Sequence, residues 1–461
     1  MQELTLVGSG LSGTLLSLFM AQAGHKVRLF ERRSDMRKVP QGAGRSINLA
    51  LSARGIHALE EVGLKAAVMK DAIPMRGRMV HDRQGNLNFQ AYGQTGEVIH
   101  SISRAALNET LISAAEETGK IQIHFDQRCT GYDFANHSVH FEDQIDQSHY
   151  AFHAEGPVLG ADGAGSALRK SLVDRVGVNY AQNYLEYGYK ELTIPPTEAG
   201  GFRMEAHALH IWPRSTFMLI ALPNPDGSFT CTLFYPFEGP QSFEQLQTPA
   251  QVRSFFESEF SDAVPLLENL ESEFFENPTG ALATIHLSPW YSGSELLLLG
   301  DAAHAIVPFF GQGMNCAFED CTVLKEVMQA EANDWGAIFK AYHQRRKPDA
   351  DAIAALALEN FIEMRDSVND PVFVLHKKVS LLLEQRFGER FIPKYSQVSF
   401  HRVPYALARL HGKYQQELLH ELCEGLNSPE ALDWQKAEIL LEAYHQKAPD
   451  LLPWLIRENA H

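Results

Sequence analysis

The chain has 461 residues, a formal net charge of −17, and 45% hydrophobic against 21% charged residues. That length holds a large core and more than one domain, and the acidic balance excludes a broad nucleic-acid surface, which needs clustered Lys and Arg against phosphate. No apolar run approaches the roughly 20 residues that span a bilayer, and Cys129, Cys231, Cys316, Cys321 and Cys423 are scattered without a CxxC pair, which speaks against a disulfide framework or a zinc site.

The N-terminus runs straight into a strand with no leader pattern, so the expected location is cytoplasmic. That strand, Leu4, Thr5, Leu6 and Val7, leads into Gly8, Ser9, Gly10, Leu11, Ser12 and Gly13 and then a helix over residues 14–23. A second strand over 26–30 ends in Glu31. This is the order a dinucleotide site requires. Gly8 makes the tight turn, Gly10 lets the backbone approach a pyrophosphate, and Gly13 lets the helix lie close on the sheet. Glu31 is placed to accept from ribose hydroxyls. The motif alone does not choose between FAD and NAD(P).

A glycine-rich run, residues 42–51, feeds a helix over 52–62, the kind of loop with which proteins grip a cofactor. Residues 75–92 read as a β-hairpin turned at Gln84, Gly85 and Asn86, with Arg78 and Tyr92 on its two arms. Strand arginines are ordinarily solvated. Arg104 opens a helix with apolar Leu107, Leu111, Ile112 and Ala115, stopped by Gly119. The strand over 121–125 then completes a β-α-β order with the first two, as in a parallel sheet. Residues 130–154 alternate as a small antiparallel flap. At Gly160, Ala161, Asp162 and Gly163 a second glycine-rich turn reads as another wall of the same site.

Residues 187–237 are antiparallel β, with strands over 208–212, 217–222 and 229–235. Alternation puts Met218, Ile220 and Leu222 on one face, and Thr230, Thr232 and Phe234 on one face of the next strand. Such a face packs a core or lines an apolar ligand. Residues 241–275 read as helical. A buried strand then ends in Gly300 and Asp301 and continues through Pro308, Phe309, Phe310 and Gly311 into a helix from about 316 to 330. Asp301 suits sugar-like hydroxyls, and the helix start suits an anion forming on a reduced flavin. His304 reads as structural, since nothing nearby forms a nucleophile pair with it. Cys316 and Cys321 read as buried thiols. Residues 334–461 are mainly helical, for example over 350–364, 374–386 and 437–447, broken by Pro393, Pro404, Pro429, Pro449 and Pro453.

The ordered set of Gly8 to Gly13 with Glu31, the Gly160 to Gly163 turn, and Gly300 with Asp301 resembles the single-component, FAD-dependent aromatic hydroxylases. Within that group the runs at 44–51, 75–79, 188–192, 208–213, 308–315, 358–360 and 391–395 resemble the kynurenine 3-monooxygenases. The resemblance implies an α/β fold: a Rossmann-like FAD-binding domain over 1–74, 93–180 and 285–345, an inserted antiparallel β substrate domain over 75–92 and 181–284, and a helical C-terminal region over 346–461.

It further implies non-covalent FAD held by Gly8, Gly10, Leu11, Gly13, Phe30, Glu31, Arg32, Arg33, Ala50, Arg104, the main chain at Cys129, Asp301 and a Met314–Asn315 turn. Arg78, Tyr92, Asn360 and Tyr395 would hold the amino-acid end of L-kynurenine, and Ile220, Leu222, Phe234 and Phe309 would enclose its ring. NADPH would visit as a transient reductant, O2 would add to the reduced flavin as a hydroperoxide, and the electron-rich ring would take the distal oxygen to give 3-hydroxy-L-kynurenine. No side chain is expected as the catalytic residue and no metal is expected. The sequence departs from the family where residues 41–44 lack an arginine that members often carry. Residues 454–458 do not resemble the transmembrane anchor of membrane-bound relatives, so no membrane anchor is expected. The acidic surface leaves room for a homo-oligomer. The alternative readings are an FAD-dependent hydroxylase of another aromatic acid and a flavin-binding redox sensor.

Overall fold

The computed structural model describes residues 2–39, 48–175, 177–331, 334–368 and 370–448. The glycine-rich entry at 42–47 and the C-terminal residues 454–458 lie outside them. The chain forms two compact units. The first comprises Met1–Ala72, Ile102–Leu185 and Ala281–Ala354, the second Ile73–Ser101, Glu186–Gly280 and Ala355–His461.

The first unit is built on a sheet whose strands run in the order Tyr291–Ser292, Leu296–Leu298, Val158–Gly160, Glu3–Val7, Lys26–Phe30 and Ile121–His124. All pairs are parallel except that of Tyr291–Ser292. Parallel strands are covered on both faces, which is why they read as continuous apolar runs. Leu4, Leu6, Leu29, Leu159 and Leu297 are fully buried, each stabilising the fold by roughly 1.5–3 kcal/mol. The helices Leu11–Gln22, Arg104–Glu117 and Gly313–Ala330 pack in this unit. Three antiparallel strands, Gln127–Asp133, Ser138–Asp143 and His149–His153, form the expected flap.

In the second unit Phe229–Pro236, Met218–Pro223, Ala208–Pro213, Gly77–His81 and Leu87–Ala91 are successive neighbours in one sheet. The pairs are antiparallel except Gly77–His81 with Ala208–Pro213, which is parallel. Register divides this sheet into two faces. Leu219, Ala221, Cys231 and Leu233, all fully buried, pack in a core with Phe256 and Phe260. The other face pairs Arg78 with Leu209, Ile211 with Ile220, and Ile220 with Thr232. There Ile220 and Leu222 are only half-buried. The helices Pro371–Phe387, Lys394–Ser399, Tyr405–Cys423 and Trp434–Lys447 complete the unit. No helix among the described residues is long and apolar enough to cross a membrane.

Of the boundaries that differ from the pattern expected, two lie in the helices Trp335–Ile362 and Gly313–Ala330. The helix placed at 350–364 begins at Trp335 and carries Pro348 inside it. Arg346, just before that proline, is buried and tied to Glu319 and Asp320 on the helix Gly313–Ala330, a tertiary anchor in a stretch where an interior proline costs ~3 kcal/mol. The helix expected from about 316 begins at Gly313. Met314 and Asn315 are therefore its first turn, not a turn preceding it.

Candidate active site

In the first unit the strand Glu3–Val7 delivers the chain to Gly8 at φ +101, where a Cβ would lie 2.4 Å from the Ala161 carbonyl oxygen. A Cβ on Gly13 would lie 1.9 Å from the Gly8 oxygen. Only glycine fits at either position. Gly10, by contrast, meets nothing within 4 Å. It is the N-cap of Leu11–Gln22, and no side chain caps that helix. Among the described residues the result is a cradle whose helix start has no side-chain cap, the arrangement that receives a diphosphate. Glu31 Oε2 accepts from Ser9 N at 2.8 Å and Oε1 from Arg33 N at 3.0 Å. These bonds aim the carboxylate and leave lone pairs for hydroxyl donors.

The remaining expected cofactor residues fall into three groups. Arg32, Arg33, Arg104 and Asp301 are exposed. Leu11 and Phe30 are buried. Phe30 stacks on Phe141 at 4.4 Å and its carbonyl accepts from Gly8 N at 2.8 Å, so its side chain belongs to the core. The Cys129 thiol, pushed up by burial, donates to the Gly131 carbonyl at 3.8 Å. Asn315 is a staple. Its Nδ2 donates to the carbonyls of Ala50 at 2.8 Å and Gly311 at 2.9 Å, and its Oδ1 accepts from Ser52 N at 3.0 Å. The side chain is thereby committed, and Met314 is half-buried beside it.

Beneath Asp301 lies a charge network that sequence periodicity did not reveal. Asp320 Oδ2 accepts from Gly300 N at 3.0 Å and His304 Nε2 at 2.6 Å, while Oδ1 accepts from Arg346 Nε at 2.9 Å. Burial works against the carboxylate, but His304 and Arg346 outweigh it and hold the group at about 2. His304 is thus a structural histidine fixing the turn that presents Asp301. Cys316 and Cys321 are both buried thiols.

In the second unit Arg78 is buried, 3% exposed, with Nη1 3.3 Å from Glu363 Oε1. Its guanidinium carbon lies 5.8 Å from the Tyr92 ring and 5.5 Å from the Tyr395 ring, and the two rings stack at 5.3 Å. Arg78 Nε is buried without a hydrogen-bond acceptor among the described residues. A buried donor left unmet is costly unless a ligand answers it. Burial raises the Tyr92 hydroxyl to about 12, so it remains a donor. Asn360 is buried on the helix Trp335–Ile362, one turn before Glu363, and its Nδ2 lies 3.2 Å from Met364 Sδ. Lys377, drawn down to about 7 by burial and the charge of Arg78, with Glu363 opposing, is the other group missed from the sequence. Ile220 and Leu222 sit half-buried on the sheet face shared with Arg78, and Phe234 is buried at the register position opposite Met218. Phe309 belongs to the first unit, buried on the turn Pro308–Phe310.

Residues 2–357 match the FAD binding domain family. The chain is 50% identical to a kynurenine 3-monooxygenase of Myxococcus xanthus, over 95% of this chain and 94% of that protein. It is 44% identical to one of Stenotrophomonas maltophilia, over 96% and 97%. Among solved structures the fold is similar to 2-methyl-3-hydroxypyridine-5-carboxylic acid oxygenase, with TM-score 0.65, 19% identity and coverage of 83% and 97%. It is also similar to P. aeruginosa PqsL in complex with 2-aminobenzoylacetate, with TM-score 0.63, 18% identity and coverage of 79% and 97%. Identity at this level over nearly the full length of both chains, with the family match, places it: the chain belongs to the kynurenine 3-monooxygenase family of FAD-dependent monooxygenases.

Proposed function

We propose that the chain hydroxylates L-kynurenine to 3-hydroxy-L-kynurenine, consuming NADPH, a proton and O2 and releasing NADP+ and water. The observation that carries the substrate is the buried Arg78, with an unmet Nε donor, set between two tyrosines and Glu363. A guanidinium fork matches a carboxylate, and Glu363 beside it matches an ammonium. Together they read the zwitterionic end of an α-amino acid. Tyr92, Tyr395 and Asn360 supply further donors around the same carboxylate, and the half-buried Ile220 and Leu222, with Phe234, offer apolar surface to an aromatic ring.

FAD, when bound, supplies electron transfer from NADPH and activation of O2. The residues fitted to hold it are those of the glycine cradle, Gly8, Gly10, Leu11 and Gly13, with Glu31 at the ribose and Asp301 at the sugar-like chain. Phe30, Ala50, Cys129, Met314 and Asn315 would contribute through the main chain, and Arg32, Arg33 and Arg104 through exposed cations. The substrate's own aminophenyl ring is electron-rich, so the protein needs to bind, orient and exclude water and needs no strong base. A titration of FAD-loaded protein with kynurenine and with its deaminated analogue tests the reading. Kynurenine should bind at least tenfold more tightly; equal binding would remove the zwitterion site.

A further inference from the structure

The sheet face opposite Arg78 carries a second polar chain. His81 Nδ1 lies 2.6 Å from Asp262 Oδ2, His81 Nε2 lies 2.8 Å from His210 Nδ1, and His210 Nε2 lies 2.8 Å from the Glu205 carbonyl oxygen. Both rings are buried. Trp212 stacks on His81 at 4.0 Å, and its Nε1–H reaches both Asp262 oxygens at 3.0 Å. Phe229 meets His210 edge-on at 5.5 Å.

These contacts fix a proton count. A carbonyl oxygen only accepts, so His210 Nε2 carries a proton. A carboxylate only accepts, so His81 Nδ1 carries another. The contact between the rings needs a third, and two neutral imidazoles hold only two. We infer that the His81–His210 pair holds three ring protons, hence one positive charge balanced by Asp262, and that this clamp positions the strand bearing Arg78.

The charge resides on His81. Burial draws His210 down to about 4, with the Glu205 carbonyl opposing, so His210 is neutral and its bare Nδ1 accepts from His81. The same count with a proton on Asp262 is disfavoured. Burial raises that carboxyl, but the bonds from His81 and Trp212 outweigh it and leave it below its ordinary value. The face of Trp212 also favours a cation over a neutral ring. The other charged groups around the pair are Arg214, whose Nη1 donates to the His81 carbonyl at 3.2 Å and whose Nε donates to the Glu259 carbonyl at 2.6 Å, and the side chains of Glu205, Glu259, Asp82 and Arg83.

His81 lies three residues beyond Arg78 on the strand Gly77–His81, and that strand pairs in parallel with Ala208–Pro213, His210 opposite Met79. Without the third proton two buried lone pairs would face each other at 2.8 Å and Asp262 would lose the cation at 2.6 Å, which removes the bonds that hold this end of the strand. His81 is accordingly a positioning residue for Arg78, a role that rests on Arg78 holding the substrate carboxylate.

Long-range 15N–1H correlation on FAD-loaded, 15N-histidine-labelled protein tests the count directly, with His81→Asn and His210→Gln for assignment. His81 should show two protonated nitrogens and His210 one, at Nε2; two neutral rings would overturn the inference. In kinetics, His81→Asn should raise the kynurenine KM on the order of tenfold with kcat within about twofold. An unchanged KM in folded, FAD-loaded His81→Asn would overturn the positioning role. If that variant does not fold, the spectrum of the unaltered protein still decides the count. An unchanged KM in Arg78→Ala would instead remove the substrate reading, and the positioning role with it, leaving the proton count to the spectrum.

Discussion

Arg78 and Glu363 face each other at 3.3 Å, one from a strand and the other 285 residues later in the chain, in surroundings where both are partly or wholly removed from water. The pair is worth more as a receptor than as a prop. A buried ion pair adds little net stability over an apolar replacement, whereas a zwitterionic ligand answers both partners at once.

Arg78→Ala should weaken kynurenine binding by about 2–5 kcal/mol, since it strands Glu363 and the substrate carboxylate together. FAD content should be unchanged, because every residue proposed for the cofactor lies in the first unit. Substrate titration beside flavin absorbance after gel filtration checks both. Loss of flavin with retained kynurenine affinity would refute the assignment.

Lys377 gives the site a pH dependence near neutrality. Its amine is drawn down to about 7, so it is an ammonium below that pH and neutral above. The added positive charge beside Arg78 favours a bound carboxylate at the lower pH. The kynurenine KM should therefore rise as pH increases through about 7, and Lys377→Met should flatten that step in a plot of log KM against pH.

Asp320 is predicted to govern stability in acid. Its folded value of about 2 lies below the unfolded carboxyl value of roughly 3.9. Its contribution is therefore present above pH ~4 and lost as pH falls toward ~2. Asp320→Asn should lower the unfolding free energy at neutral pH by roughly 3–5 kcal/mol, leaving Arg346 short of a counter-ion. Thermal unfolding across pH should show the gap between variant and parent narrowing in acid.

Gly8 and Gly10 should separate folding from cofactor binding. Gly8→Ala forces a Cβ onto the Ala161 carbonyl at a positive φ and should destabilise the protein by about 1–3 kcal/mol. Gly10→Ala meets nothing at φ −73, so the apoprotein should unfold within about 0.5 kcal/mol of the parent. The new methyl occupies the face offered to the diphosphate, and FAD affinity should drop on the order of tenfold. Apoprotein calorimetry and flavin titration read the two effects separately.

The parts of the fold and site that were legible in the sequence are those written in short-range patterns. Leu4 to Gly13 and the hairpin of Gly77–His81 with Leu87–Ala91 follow from alternation, glycine spacing and turn chemistry, though Tyr92 lies one residue beyond the returning strand and Ile73–Met75 is a separate strand. The half-buried Ile220 and Leu222 also follow from period two, though only the structure shows which face of the sheet is left open. Glu363 and Lys377 were not legible, because a charged residue in a helical run looks like one on a solvated surface until the strand it faces is known. The same holds for Asp320 and for the His81–His210 pair, whose partners lie up to 181 residues away. The start of the helix at Gly313 was missed in the other direction, because Asn315, bonded to Ala50, Gly311 and Ser52, fixes a glycine-led first turn that local propensity disfavours.

The central claim is tested most directly by aerobic turnover of purified, FAD-loaded protein with NADPH and L-kynurenine, following product by mass and peroxide in parallel. The account predicts a product heavier by one oxygen, with little peroxide and NADPH consumed in step with it. Rapid NADPH oxidation yielding peroxide while kynurenine stays unchanged would contradict it.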